Sequence, residues 1–373
     1  MSRRSLGNGQ SEFPLFRNIH LWLPSYIRDG LKKRLTGEGR VQPKYVFFCI
    51  CDHFEPYWNR ADAATARKRI NRWLDEYPKI AEKYRDSDGQ PLKYSFFYPE
   101  EEYRFDDVEA LAGLCRAGFG EVEIHLHHEN DTSENLRKTL LEYKKRLYGE
   151  HGLLSVRRDS GEISYGFIHG NWALDNSRPD RRWCGVNDEI TVLQETGCYA
   201  DFTMPSAPSD TQTRKVNSIY YAVDDPGEPK SHDRGIDAET GKSGEGLLMV
   251  QGPLGLTWHQ RKFGLLPRIE NGGLYANSPP TAQRVKFWIQ TGICVQKAEE
   301  YVFIKIYTHG AQEGISDMLF GGGFDIIFSE LTKETKQLGG NLRYVSAREM
   351  INIIKAIEAE ENYSYKLRDY IYS

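Results

Sequence analysis

The sequence predicts an α/β protein, specifically a distorted seven-stranded (β/α) barrel with long loop insertions. Three observations predict this fold: from residue 44 onward short apolar runs alternate with helix-like stretches, seven such runs occur, and no linker rich in proline and serine divides the chain. A chain of 373 residues is long enough for one domain of this size. We expect a helical N-terminal extension over residues 1–43 and a single (β/α)7-type barrel over residues 44–373.

Each predicted strand is a short run rich in β-branched and aromatic residues, which favour extended backbone. The predicted strands are YVFFCICD (45–52), KYSFFY (93–98), EVEIHLH (121–127), YGFIHG (165–170), YADFTM (199–204), GLLMVQ (246–251) and YVFIKIYTH (301–309).

Helical patterns separate these strands. They cover residues 63–84, 133–150 and 280–293, with Ser133 and Thr281 placed as helix starts, and a further helix lies in SAREMINIIKAIEAEE near the C-terminus.

Two stretches interrupt the alternation, residues 205–245 and 252–279, and both are rich in glycine, proline, serine and charged residues. They are interpreted as long loop insertions on the side where a barrel carries its site.

Composition excludes several classes of protein. The 49 Lys and Arg residues against 53 Asp and Glu residues give a net charge of −4, so no basic field favours nucleic acid as a partner. The six cysteines are scattered without a C-x-x-C pair, which favours reduced thiols and a cytoplasmic protein. The sequence has no phosphate-binding loop and no Gly-x-Ser-x-Gly elbow, which argues against nucleotide binding and serine hydrolysis.

The N-terminal region lacks the apolar core of a signal peptide, and no run of about 18 apolar residues predicts a transmembrane segment. Residues 13–34 mix large apolar residues with a basic end. This pattern favours a helix packed on the domain, with a helix in peripheral contact with a membrane as the alternative.

Histidines concentrate at the ends of the predicted strands, and the set comprises His53, His125, His127, His169 and His309. Val122, Ile124 and Leu126 alternate with polar residues along one strand, and Val302, Ile304 and Ile306 do so along another. In a barrel the apolar set packs on the outer helices, so the polar set points inward near the mouth.

Two of these histidines have the spacing of metal ligands. His125 and His127 lie on the same face of one strand about 6 to 7 Å apart at Cα, so both imidazoles can reach one ion. Asp52 and His53 end the first strand and complete a predicted ligand set for a divalent ion. Mixed histidine and carboxylate ligands favour Zn, with Co, Ni or Mn as alternatives. Histidines hydrogen-bonded to carboxylates without an ion would give the same pattern.

The segment YGFIHGNWALDNS carries a predicted sugar-binding set: His169, Asn171, Trp172 and Asp175. An exposed Trp offers a platform for a sugar ring, and Asn can bridge hydroxyl groups. Packing of Trp172 in the core is the alternative interpretation.

A first strand ending in CDHFEP, a histidine-rich strand end EIHLHHEND, a late strand ending KIYTHG and the count of seven strands together resemble the polysaccharide deacetylase family of the glycoside hydrolase/deacetylase superfamily. The resemblance covers roughly residues 44–350. It implies a distorted (β/α)7 barrel, a divalent metal held by one Asp and two His, Asp52 as general base, and His309 as general acid.

The expected function is therefore metal-dependent removal of an acetyl group from a polysaccharide, such as an exopolysaccharide, or from a glycan precursor, by metal-activated water. His309 ends a regular strand next to Gly310, which leaves room for a substrate. Two alternatives remain open: a glycoside hydrolase using Asp52 with Asp175 or Asp201, and a sugar-binding protein without catalysis.

Overall fold

The computed structural model describes residues 18–35 and 42–373. In this part of the chain the main sheet contains β1 (Tyr45–His53), β2 (Tyr94–Pro99), β3 (Gly120–Leu126), β4 (Ser155–Val156), β5 (Ile163–His169), β6 (Cys198–Asp201), β7 (Ile219–Ala222), β8 (Ile236–Asp237), β9 (Leu247–Val250), β12 (Gly273–Leu274), β13 (Tyr301–Thr308) and β14 (Asn341–Tyr344). A separate hairpin consists of β10 (Gly255–Lys262) and β11 (Leu266–Glu270).

The helices of the same residues are α1 (Ile19–Leu35), α2 (Ala63–Lys83), α3 (Phe105–Arg116), α4 (Ser133–His151), α5 (Glu189–Glu195), α6 (Ala282–Thr291), α7 (Glu313–Met318), α8 (Phe324–Gln337) and α9 (Ala347–Glu358). Side-chain caps mark the starts of several of them. Thr132 caps α4 and Thr281 caps α6, and Ser346 forms a capping box with Glu349 at α9.

The seven predicted strands are confirmed as β1, β2, β3, β5, β6, β9 and β13. They are consecutive neighbours in the order β13-β1-β2-β3-β5-β6-β9, and all six pairings are parallel. The expected total of seven strands is wrong for the sheet, which has twelve in the described residues. The additional strands have two to four residues each, too short for a hydrophobic period to mark them.

The two faces of the sheet bury different residues, as the predicted alternation requires. Val122, Ile124 and Leu126 of β3 pack in one cluster with residues of α2, α3, α4 and α8, and so do Val302, Ile304 and Ile306 of β13. The opposite face packs against α9 through Phe47, Cys49 and Cys51 of β1. On this second face His125 and Lys305 are fully buried.

The stretches 205–245 and 252–279, interpreted from the sequence as long loop insertions, also contain short strands. The first stretch contributes β7 and β8, which extend the sheet by antiparallel pairing, and Tyr220 and Tyr221 of β7 are buried there. The second contains the β10–β11 hairpin and β12. Glycine and charged residues at turns and on exposed strand faces dominate the composition and mask these short strands.

The N-terminal helix α1 packs on the domain. Trp22 is buried against Ala207, Val216 and Leu254, so α1 covers the start of the first insertion and the base of the hairpin. Of residues 13–34, residues 13–17 lie outside the described residues, as do residues 1–12 and 36–41 of the N-terminal extension. Among the described helices, each falls short of the length and apolar character needed to cross a bilayer.

Candidate metal centre

Histidines from three strand ends meet at the carboxyl edge of the sheet. Parallel pairing puts Asp52 in register with Thr308, so His53 and His309 follow side by side, with ring centroids 4.7 Å apart. The His125 ring lies 5.0 Å from that of His53 and 4.6 Å from that of His127. The predicted convergence of these four histidines is therefore present in the structure.

Glu55 lies at the centre of this group, two residues beyond the end of β1. Its Oε1 atom is 3.1 Å from Nε2 of His125 and 3.5 Å from Nε2 of His127. Ligand atoms of Glu55, His125 and His127 all lie within 4.8 Å of one another, and the same is true of His53, Glu55 and His309. We call these five residues the first site. Glu55 was not predicted, because strand alternation ceases to apply two residues past the strand.

The outer ring nitrogens of two of these histidines are fixed by the protein. Nδ1 of His125 donates to the carbonyl oxygen of Ile168 at 2.8 Å, and Nδ1 of His127 is hydrogen-bonded to the carboxylate of Glu101. These contacts direct both Nε2 atoms toward the Glu55 carboxylate. A neutral imidazole with a bonded Nδ1–H presents a lone pair at Nε2, and metal-binding histidines are commonly held in this way. With both rings in this neutral form, two lone pairs would face the Glu55 carboxylate, an arrangement that fits a divalent cation.

Burial and charge set the protonation of the group. Burial opposes ionisation of Glu55, but the hydrogen bond with His125 and the charges of nearby histidines lower its pKa to about 2. Burial lowers the pKa of His53 well below its ordinary value, and it also lowers the pKa of His309. Burial opposes a charge on His127, but the hydrogen bond and charge of Glu101 raise its pKa, so His127 must lose a proton when it binds an ion.

Asp52 lies on the other face of β1 from His53, because successive side chains of a strand alternate. Its carboxylate accepts hydrogen bonds from the hydroxyl of Tyr94 at 3.0 Å and from the backbone N–H of Gly310 at 2.7 Å. Among the described residues, Asp52 is absent from the groups of converging ligand atoms. It holds the turn that follows β13, next to His309.

Aromatic rings border the first site on one side. Trp172 lies 5.9 Å from the His53 ring and 6.0 Å from the His309 ring, and Tyr307 lies 5.9 Å from the His53 ring. Tyr275 donates its hydroxyl to that of Tyr307 at 2.8 Å. The His127 side chain is 31% exposed whereas that of His125 is fully buried, so the site opens beside His127. Tyr275 and Tyr307 had not been predicted as site residues.

The residues of the predicted sugar-binding set do not all lie at the first site. Asn171 and Trp172 have positive φ angles of 54° and 56° in the turn after β5, a conformation that is common for asparagine but unusual for the bulky tryptophan. His169 and Asp175 are fully buried, and both lie near Glu189 rather than Glu55. The structure therefore brings Trp172, but not His169 or Asp175, to the first site.

The chain was compared with known proteins. No protein-family model matches it, and a search of curated proteins gives no match.

Proposed function

We propose that this protein is a metal-dependent hydrolase that removes acetyl groups from a carbohydrate, either a polysaccharide or a glycan precursor. The observation that carries the proposal is the convergence of His125 and His127 on the Glu55 carboxylate, with the His53 and His309 rings stacked beside it. Glu55 takes the role of carboxylate ligand that the sequence assigned to Asp52. Zinc fits two imidazoles and a carboxylate best, and Co, Ni or Mn would also fit.

A divalent ion held by Glu55, His125 and His127 would act as a Lewis acid on the acetyl carbonyl and ease loss of a proton from water. The protein's own residues supply the remaining steps. Neutral His309 accepts a proton as water attacks the carbonyl carbon. It then donates that proton to the sugar nitrogen or oxygen as the bond from the carbonyl carbon to that atom breaks. The low pKa of His309 suits this order, because the residue begins without a proton.

Asp52 is a positioning residue in this proposal. Its carboxylate binds the N–H of Gly310, and Trp73 donates its indole N–H to the Gly310 carbonyl at 2.9 Å. Both contacts hold the backbone of the residue directly after His309. Trp172 and Tyr275, whose rings lie 6.0 and 6.3 Å from that of His309, border the space proposed for the sugar ring.

The carboxylates needed by a glycoside hydrolase are engaged elsewhere. Asp201 accepts two hydrogen bonds from Thr203, and Asp175 accepts one from the backbone N–H of Ser231. With Asp52 bound to Tyr94 and Gly310, each of the three candidate carboxylates is held by donors of the protein itself. This favours deacetylation over glycoside cleavage.

We also propose that the parallel strands form the distorted barrel expected from the sequence. Lys305 on β13 donates to the carbonyl oxygens of Phe202 and Met204, both at 2.6 Å, and these residues follow β6. A Cβ atom on Gly252, just after β9, would lie 2.4 Å from the Lys305 carbonyl oxygen. These contacts support closure of the barrel, because they join β13, at one end of the row of parallel strands, to the residues that follow β6 and β9 at the other end.

The test measures acetate released from acetylated chito-oligosaccharides and acetylated xylo-oligosaccharides by zinc-loaded protein. His309→Gln should lower turnover roughly a hundredfold to ten-thousandfold with metal content unchanged. His259→Gln is the matched control, because His259 is exposed on β10, and it should retain wild-type turnover. Oligosaccharide cleavage without acetate release would favour a glycoside hydrolase. Glycan binding without turnover of any substrate would favour a sugar-binding protein, and either result contradicts the proposal.

A further inference from the structure

A second group of metal-type side chains lies beside the first site. His128 follows β3, His169 ends β5 and Glu189 begins α5, and their ligand atoms lie within 4.8 Å of one another. The exposed fraction of the side chain is 7% for His128 and zero for the other two. We call these three residues the second site.

Both histidines present the same nitrogen to the same carboxylate oxygen. Nε2 of His128 lies 3.1 Å and Nε2 of His169 lies 3.6 Å from Oε1 of Glu189. The other ring nitrogens are already occupied: Nδ1 of His128 is 3.0 Å from the Asp131 carboxylate, and Nδ1 of His169 is 2.5 Å from the carbonyl oxygen of Gly170. The second Glu189 oxygen accepts the backbone N–H of Asp175 at 2.6 Å. The arrangement repeats that of the first site, with inner nitrogens facing a carboxylate oxygen and outer nitrogens fixed.

Buried polar atoms without hydrogen bonds surround Glu189. In the described residues these atoms are Nε2 of His169, Oδ1 of Asp175 and both ring nitrogens of His232. Native proteins leave few buried polar atoms unpaired, and an absent ion is one explanation for such a group. The alternative without an ion is a charged His128 that donates hydrogen bonds to both Asp131 and Glu189. That arrangement leaves Nε2 of His169 without a hydrogen-bond partner. A cation between the three residues satisfies it.

Two glycines keep the neighbouring histidines in separate sites. A Cβ atom on Gly170 would lie 2.1 Å from the His127 ring, and one on Gly185 would lie 1.9 Å from the His128 ring. No side chain larger than hydrogen fits at either position while the rings stay in place. His127 can therefore face Glu55 while His128, the next residue, faces Glu189.

We propose that His128, His169 and Glu189 bind a second divalent transition ion, separate from the ion of the first site. Its ligands come from the ends of β3 and β5 and from the start of α5, all buried, so its role is structural. It would hold together the elements that carry His127 and Trp172. Two imidazoles and a carboxylate favour zinc or a similar borderline ion.

The test is elemental analysis of protein purified without chelators and reloaded with zinc. Wild type should hold about two ions per chain, and Glu189→Gln and His169→Gln should each hold about one. His125→Gln should also lose one ion, but from the first site, so that combining it with Glu189→Gln should remove both. His151→Gln is the matched control, because His151 is a buried histidine bonded to Glu109 and Tyr103, and it should keep both ions.

The proposal is overturned if Glu189→Gln binds as much zinc as wild type. It is also overturned if wild type holds about one ion and His125→Gln removes that ion. This outcome does not depend on whether variants of the second site fold. A third outcome separates the two proposals. If wild type holds about one ion, and Glu189→Gln removes it whereas His125→Gln does not, the proposed function is contradicted and the second site is supported.

Discussion

Replacing Gly310 with alanine should damage both stability and activity, because this glycine lies in a fully packed turn. An added Cβ would be 2.3 Å from Oδ2 of Asp52 and 2.4 Å from the ring of Trp73, and both of those side chains are fully buried. Neither neighbour is a free end that can swing into solvent. Overpacking of this kind typically costs about 1 to 3 kcal/mol. Weakening the hydrogen bond from Gly310 to the Asp52 carboxylate adds about 1.5 to 3 kcal/mol.

The free energy of unfolding of Gly310→Ala, measured with urea, should therefore fall by about 2.5 to 6 kcal/mol. Acetate release should fall in the surviving folded protein, because His309 precedes the displaced residue. Gly113→Ala is the control: Gly113 lies within α3 with nothing within 4 Å of an added Cβ, so alanine should be neutral or stabilising by up to about 1 kcal/mol. A Gly310→Ala protein as stable as wild type would refute the packing argument, and unchanged turnover would refute the positioning of His309.

Burial raises the pKa of the Glu123 carboxyl group from 4.5 to about 8. The contribution of Glu123 to stability is therefore complete below pH 4.5 and is lost as the pH rises through 8. In urea titrations, the free energy of unfolding of wild type relative to that of Glu123→Gln should fall over this pH range, and a constant difference would contradict the prediction. Trp172→Ala should raise KM about tenfold with little change in kcat. Trp258→Ala, at an exposed position on β10, should leave KM unchanged. A wild-type KM in Trp172→Ala would exclude a role for Trp172 as a platform for the sugar ring. Arg284→Met removes the cation that pairs with the buried Glu270 carboxylate, which keeps hydrogen bonds from Trp288 and from the backbone N–H of Gly272. The substitution should cost about 3 to 5 kcal/mol in urea unfolding, and a smaller loss would show that the second insertion is not part of the scaffold.

The central strands were predictable because parallel strands buried on both faces give continuous apolar runs. YVFFCICD and YVFIKIYTH are of this kind, and they became the adjacent strands β1 and β13. The hairpin strand β10 has the sequence GLTWHQRK, which is mostly polar and contains no continuous apolar run. The four residues of β14 pair with the first half of β1, a long-range contact that local sequence does not encode.

The site was predictable to the extent that it lies on strands. Alternation along β3 correctly grouped His125 with His127, and parallel register brought His53 beside His309. The same alternation places Asp52 and His53 on opposite faces, a signal present in the sequence. Glu55 and Glu189 lie beyond strand ends, in a loop and at a helix start, where no period relates a residue to the strand before it. Their roles emerge only from tertiary contacts.

The proposed function requires that Glu55, His125 and His127 bind a divalent ion. Diffraction at the cobalt absorption edge from crystals of cobalt-loaded protein tests it directly, because anomalous density locates the ion among its ligands. We predict a peak bounded by the Glu55 carboxylate and the Nε2 atoms of His125 and His127, at about 2 Å from each, and its loss in Glu55→Gln. Crystals of loaded wild type without a peak at these atoms would contradict the account, as would a peak that persists unchanged in Glu55→Gln.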